Sequence, residues 1–82
     1  MTRDEIAERL IKTTARELNL SESEIKESDN FAMDLGADSL KSIELVAAFE
    51  EEFDLTLNEE EALRVQSIGG AIDFFDRIIN KN

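Results

Sequence analysis

The chain reads as all-α: a small four-helix bundle, with three longer helices, one short one, and a long loop between helices one and two. Three observations carry this expectation. Apolar residues recur at helical spacing along much of its 82 residues, the mark of helices that bury one face. Helix-starting residues stand before these runs. Proline is absent, as are internal repeats and the turn chemistry of β-hairpins.

Thr2 and Glu5 form a capping-box pattern, which places the first helix at residues 3–18. Ile6, Leu10 and Leu18, with Ile11 and Thr14 beside them, make its buried stripe, ending near Asn19. Ser21 and Glu24 repeat the capping pattern around a single turn. A long connection follows, in which Phe31, Met33 and Leu35 are apolar anchors expected to pin it to the core. Gly36 lets the chain turn sharply, and the second helix then runs from Ser39 to Phe53. A short third helix is expected from Glu59 to Arg64. The fourth starts after Ser67 as N-cap and reaches about Asn80, with Ile68, Ile72, Phe75 and Ile79 inward. Gly69 and Gly70 each cost about 1 kcal/mol against alanine in that helix. Close helix approach and a mobile helix start are the two explanations open.

Size and composition bound the rest. So short a chain is expected to be one domain, residues 1–82, with one small core. Cysteine is absent, so neither disulfides nor thiolate metal sites support the fold. No apolar run is long enough to span a bilayer, and Met1–Glu5 lacks the apolar run of a signal peptide, so a cytoplasmic protein without membrane insertion is expected. The formal charge of −11 repels nucleic acid and anionic lipid. Partners should be basic. The excess is concentrated: residues 38–61 carry nine acids against Lys41 alone.

One residue stands out chemically. Ser39 lies where a loop becomes a helix, and no histidine or cysteine exists to activate it. Lys41, two positions on, does not face it. A hydrolase nucleophile is therefore excluded, and no catalytic residue is expected. What remains is a hydroxyl modified by another enzyme, and a helix N-terminus favours a phosphate ester there. The plain alternative is that Ser39 merely caps the helix, as serine and Asp38 are both suited to do.

The second helix is apolar on two sides. At about 100° per residue, Leu45, Val46, Phe49 and Phe53 share one arc. Leu40, Ile43 and Ala47 form another, bordered by Glu44 and Glu51 on one side and Glu50 on the other. An apolar strip rimmed by carboxylates fits docking to basic partners. Burial of both arcs in the bundle centre is the alternative.

Phe31-Ala32-Met33-Asp34-Leu35-Gly36-Ala37-Asp38-Ser39-Leu40, followed by Ile43-Glu44-Leu45-Val46, resembles the attachment-site signature of acyl carrier proteins. Glu50-Glu51-Glu52-Phe53-Asp54 and Ile72-Asp73-Phe74-Phe75 extend the likeness over the whole chain. The resemblance implies a phosphopantetheine arm, covalent on Ser39 with Asp38 and Leu40 beside it, installed from coenzyme A by a magnesium-dependent phosphopantetheinyl transferase (holo-acyl-carrier-protein synthase). Its thiol would hold acyl groups as thioesters for fatty acid, lipid or polyketide biosynthesis enzymes. By the same likeness Asp38, Leu40, Ile43, Glu44, Ala47, Glu50 and Glu51 meet those enzymes' basic docking patches, and the protein is a monomer that catalyses nothing. The acyl chain hides between helices in this family, with Phe31, Leu45, Phe49, Leu57, Leu63, Val65 and Ile72 as lining candidates here. Departures are Lys41, where an acid is commoner, Thr13 and Thr14 in place of bulky aliphatics, Phe49 in place of leucine, and no proline near Leu57-Asn58.

Two other readings stand beside it. A calcium-binding helical module fits an acidic chain, but a loop begun at Asp34 puts Ser39 where the turn glycine belongs and Leu45 where a bidentate glutamate should sit. No metal ligand set is expected. Within the carrier superfamily, a peptidyl or alanyl carrier is the nearer rival.

Overall fold

A computed structural model describes residues 1–81. It is a small helical bundle: α1 (Arg3–Leu18), α2 (Ser39–Phe53), α3 (Glu59–Leu63) and α4 (Ile68–Ile79), with one 3₁₀ turn at Glu22–Glu24 between α1 and α2.

Each boundary has a local cause. At the start of α1 the Thr2 hydroxyl accepts from the Glu5 backbone N–H at 3.1 Å, and the Glu5 carboxylate accepts from the Thr2 N–H at 2.8 Å. This is the reciprocal capping box. Asn19 ends the helix in the left-handed conformation, φ 57°. Ile6, Leu10 and Thr14 are buried as the periodicity requires, while Ile11 and Leu18 lie at the edge of the core. Thr14 is accommodated because its hydroxyl donates to the Leu10 carbonyl at 2.8 Å, so no polar group is stranded. α3 closes at Leu63, one residue short of expectation, with Arg64 as its cap. α4 likewise stops at Ile79, with Asn80 as the cap. Its inner face is Ile68, Ala71, Ile72 and Phe75, all buried, and Ile79 is only partly covered.

α1 packs against both α2 and α4, whereas the α2 and α4 backbones stay apart. Aromatic rings bridge them. Phe75 stacks on Phe53 with centroids 4.8 Å apart and meets Phe49 edge-on at 5.6 Å. Arg9 of α1 clasps the far end of α2, pairing with Glu52 at 2.7 Å and lying over the Phe53 ring at 5.0 Å.

The long loop is tied by its backbone to the start of α4. The Phe31 N–H donates to the Gln66 carbonyl, while the Ile68 and Gly69 N–H groups donate to the Asp29 and Glu27 carbonyls, all at 2.8–2.9 Å. An isolated antiparallel bridge joins Asn30 and Ser67. This explains Gly69: a Cβ there would sit 3.1 Å from the Glu27 carbonyl oxygen. The close approach is to a loop and not to another helix. Arg3 adds a side-chain tie, bonding Glu27 at 3.1 Å and Asp73 at 3.0 Å.

Of the three expected anchors, Phe31 is buried and Leu35 packs at the core's edge. Met33 is not an anchor. It is 86% exposed, because the Asn30 side chain accepts from the N–H groups of Ala32 and Met33 and rolls this turn outward.

Candidate functional site

The backbone leading into α2 is fixed on both sides of its turn. Gly36 takes φ +74°, a conformation a side chain would strain. Ala37 is buried, and its N–H donates to the Phe31 carbonyl at 2.8 Å. Two residues later Ser39 is exposed to solvent.

Asp38, not Ser39, caps the helix. Its carboxylate accepts from the Lys41 N–H at 2.8 Å and its carbonyl from the Ser42 N–H at 2.8 Å. Ser39 is the first helical residue, and its hydroxyl has no hydrogen-bond partner among the described residues. The capping alternative thus falls to the neighbouring aspartate. The Ser39 and Leu40 amides are among the helix-end donors that no carbonyl reaches, so the hydroxyl stands beside groups suited to an anion.

Among the described residues no base is hydrogen-bonded to that hydroxyl. The Lys41 ammonium turns down the helix to Glu44, 3.3 Å away. Such a half-exposed pair adds little stability, but it partly neutralises an acid expected to face partners. At the start of α1, Arg3 and Glu5 have displaced pKa values. Hydrogen bonds to Glu27 and Asp73 raise Arg3, and the bonds from Thr2 lower Glu5.

Along α2 the two arcs separate cleanly. Leu45, Val46, Phe49 and Phe53 are buried. Leu40 is 64% and Ile43 45% exposed, and Ala47 is also open, so burial of both arcs is overturned. The acids flanking the strip are not equivalent. Glu44 and Glu51 are exposed. Glu50 is half-buried, and its carboxylate accepts from the Leu57 N–H at 2.8 Å, holding the segment before α3. Glu52 is engaged by Arg9.

Between α2, α3 and α4 lies a cavity of about 60 Å³. Six of the seven expected lining residues border it: Phe31, Leu45, Phe49, Leu57, Leu63 and Val65. Ile72 does not; it is fully buried and belongs to the core. Ser42 also borders the cavity, and sequence reasoning missed it. The signal was there, since a residue three positions after Ser39 lies on the same helical face. Among the described residues no three acidic side chains converge as a metal-ligating group, and no helix is long and apolar enough to cross a membrane.

A family model described as the phosphopantetheine attachment site matches residues 8–75. That stretch takes in most of α1, the loop, α2, α3 and α4 as far as Phe75.

Proposed function

The chain belongs to the phosphopantetheine attachment site family, and from that premise we propose that it is an acyl carrier protein with Ser39 as the attachment residue. The family is the place of covalent phosphopantetheine attachment, so a phosphopantetheine carrier is the established part.

One observation supports Ser39 above all: its hydroxyl is exposed and unbonded because Asp38 has taken the capping role. Gly36 and Ala37 fix the backbone that presents it. The residues fit a phosphodiester, for an anion meets the positive end of a 15-residue helix there. When bound, the arm supplies a terminal thiol on which acyl groups ride as thioesters. Among the described residues no base is hydrogen-bonded to the Ser39 hydroxyl, and the Asp38 carboxylate is occupied by the Lys41 N–H, which leaves the proton to the transferase and this protein as a substrate.

Leu40, Ile43 and Ala47 then form the apolar centre of the face met by acyl-processing enzymes. Glu44, Glu51 and Asp38 steer basic patches toward it. Glu50 contributes charge from a fixed position, because its carboxylate also serves the loop before α3. In this reading residues 1–82 are one carrier domain, working as a cytoplasmic monomer in fatty acid, lipid or polyketide synthesis. The acidic cation-binding alternative gains no observation in its favour.

Intact mass after incubation with coenzyme A and a promiscuous phosphopantetheinyl transferase tests the assignment. The expected result is one phosphopantetheine increment, located on the Ser39 peptide and absent from Ser39→Ala. An unmodified chain, or an increment that persists in Ser39→Ala, would falsify it.

A further inference from the structure

Lys41 stands where its own helix disfavours it. It is the third residue of α2, and its backbone N–H is held by the Asp38 cap. The positive end of a helix dipole favours acids at such a position and disfavours cations. α1 and α3 follow that rule, with Asp4 and Glu5 in one first turn and Glu59, Glu60 and Glu61 in the other, whereas the first turn of α2 holds no acid. Nor does the side chain stabilise the fold elsewhere. Its ion pair among the described residues is the one to Glu44, half-exposed on both sides and of little worth. A local rule broken without a compensating contact marks a functional position.

What Lys41 changes is the docking face. On the reading that Ser39 bears the arm and that Leu40, Ile43 and Ala47 meet partner enzymes, we propose that Lys41 selects the partner. The fitting enzyme carries a carboxylate inside its otherwise basic patch, which takes the Lys41 ammonium and leaves Glu44 to an arginine or lysine.

The ammonium lies 3.3 Å from the Glu44 carboxylate, on the border of the apolar strip. An enzyme presenting only arginines and lysines therefore finds Glu44 already paired and a like charge beside it. Such a repulsive element separates partners that attraction alone would treat alike. Glu51, two helical turns further on, is exposed and in none of the ion pairs among the described residues. It attracts any basic patch, so the discrimination falls to the end of the strip nearest Ser39. Contact with Lys41 there is hard to avoid. Leu40 precedes it in the chain and is 64% exposed, so an enzyme that covers Leu40 and reaches Ser39 comes within the length of a lysine side chain. The Lys41–Glu44 pair opens readily, being exposed to water on both sides.

Initial rates of loading of the full chain by holo-acyl-carrier-protein synthase test this, the synthase serving as an enzyme that docks through basic residues. Each unit of exposed charge is worth about threefold. Lys41→Met, neutral and of similar length, should lower KM about threefold and Lys41→Glu about tenfold, with kcat unchanged and the differences shrinking at high salt. Glu44→Gln should raise KM more in the Lys41→Met background than in the wild type, because only there is the carboxylate unmasked. The partner's carboxylate is tested by reversing to glutamate, one at a time, the arginines and lysines around the synthase's active site. At least one reversal should make the enzyme prefer the wild-type chain to Lys41→Glu, the opposite of the unaltered enzyme's preference.

An unchanged KM in Lys41→Glu overturns the inference, as does a panel in which no reversal turns the preference round. A loss of kcat at constant KM also overturns it, since Lys41 would then act at Ser39 and not in docking. The Lys41→Glu fold is favoured by an acid at the helix start; should its circular dichroism nevertheless show lost helix, Lys41→Met is read by the same criteria. A chain that accepts no arm overturns the attachment reading and this inference with it. A chain loaded with one KM in every variant overturns this inference only.

Discussion

Helices α3 and α4 both follow α2 and both border the cavity, yet they are held by different forces. α4 buries Ile68, Ala71, Ile72 and Phe75, and its first turn is bonded to the long loop. α3 buries nothing. At five residues it is far below the length at which a helix persists unaided. It exists because Asn58 caps the Glu61 N–H at 3.0 Å, because Glu59, Glu60 and Glu61 sit at the positive end of its dipole, and because Glu50 holds the preceding strand of loop at Leu57. One wall of the cavity is thus core and the other is a lightly fastened flap. On the proposed carrier reading that division is useful: cargo exchange would use α3 without disturbing the frame of α1, α2 and α4.

The largest expected effect sets the two walls against each other. Phe75→Ala removes a fully enclosed ring that touches three other phenylalanines, and should cost about 3–5 kcal/mol. Against the 5–15 kcal/mol typical of a whole domain, that threatens the fold. Leu63→Ala, on a residue already 40% exposed, should cost under about 1 kcal/mol. Urea unfolding of both variants measures the contrast, and similar losses would erase it.

A smaller change isolates the fastening of α3. Glu50→Ala deletes the acceptor of the Leu57 N–H, a bond to a charged group worth about 1.5 kcal/mol or more. Amide exchange at Leu57 and through α3 should quicken roughly tenfold, while α4 keeps its protection. Uniform acceleration across both helices would mean that α3 is part of the core after all.

The sequence displayed one wall better than the other. The helices and most of their ends could be read because caps and apolar spacing act within one or two turns, as Thr2 with Glu5 and Ile68 with Ile72 do. The exposed arc of Leu40, Ile43 and Ala47 was legible for the same reason. The loop was harder. Its hold on α4 runs through backbone groups of Glu27, Asp29 and Phe31, and backbone pairing across some forty residues leaves no side-chain pattern, so Met33 passed for an anchor. Gly69, whose Cβ would crowd the Glu27 carbonyl, was its one visible trace. At the site, Ser39 could be singled out by chemistry, but two adjacent capping residues are indistinguishable until geometry assigns the role to Asp38. Nor does spacing tell which of Glu50, Glu51 and Glu52 is free, since Leu57 and Arg9 claim two of them from other elements.

The smallest expected effect extends the comparison to α1, whose cap differs from that of α3 in being reciprocal. Bonds from the Thr2 backbone N–H and from its hydroxyl hold the Glu5 carboxyl below the ordinary glutamate value. A carboxylate whose folded pKa is depressed stabilises the fold above its unfolded pKa, and that contribution fades as pH falls through the lower folded value. NMR titration should find Glu5 below an ordinary exposed glutamate, and Thr2→Ala, which removes the hydroxyl but keeps the backbone N–H, should bring it only part of the way back. The melting temperature should change little, for α1 is retained by Ile6, Leu10 and Ala15 in the core whatever becomes of its cap. A large loss of stability on removing so exposed a cap would show that α1 resembles α3 more than α4, and that the frame itself depends on its ends.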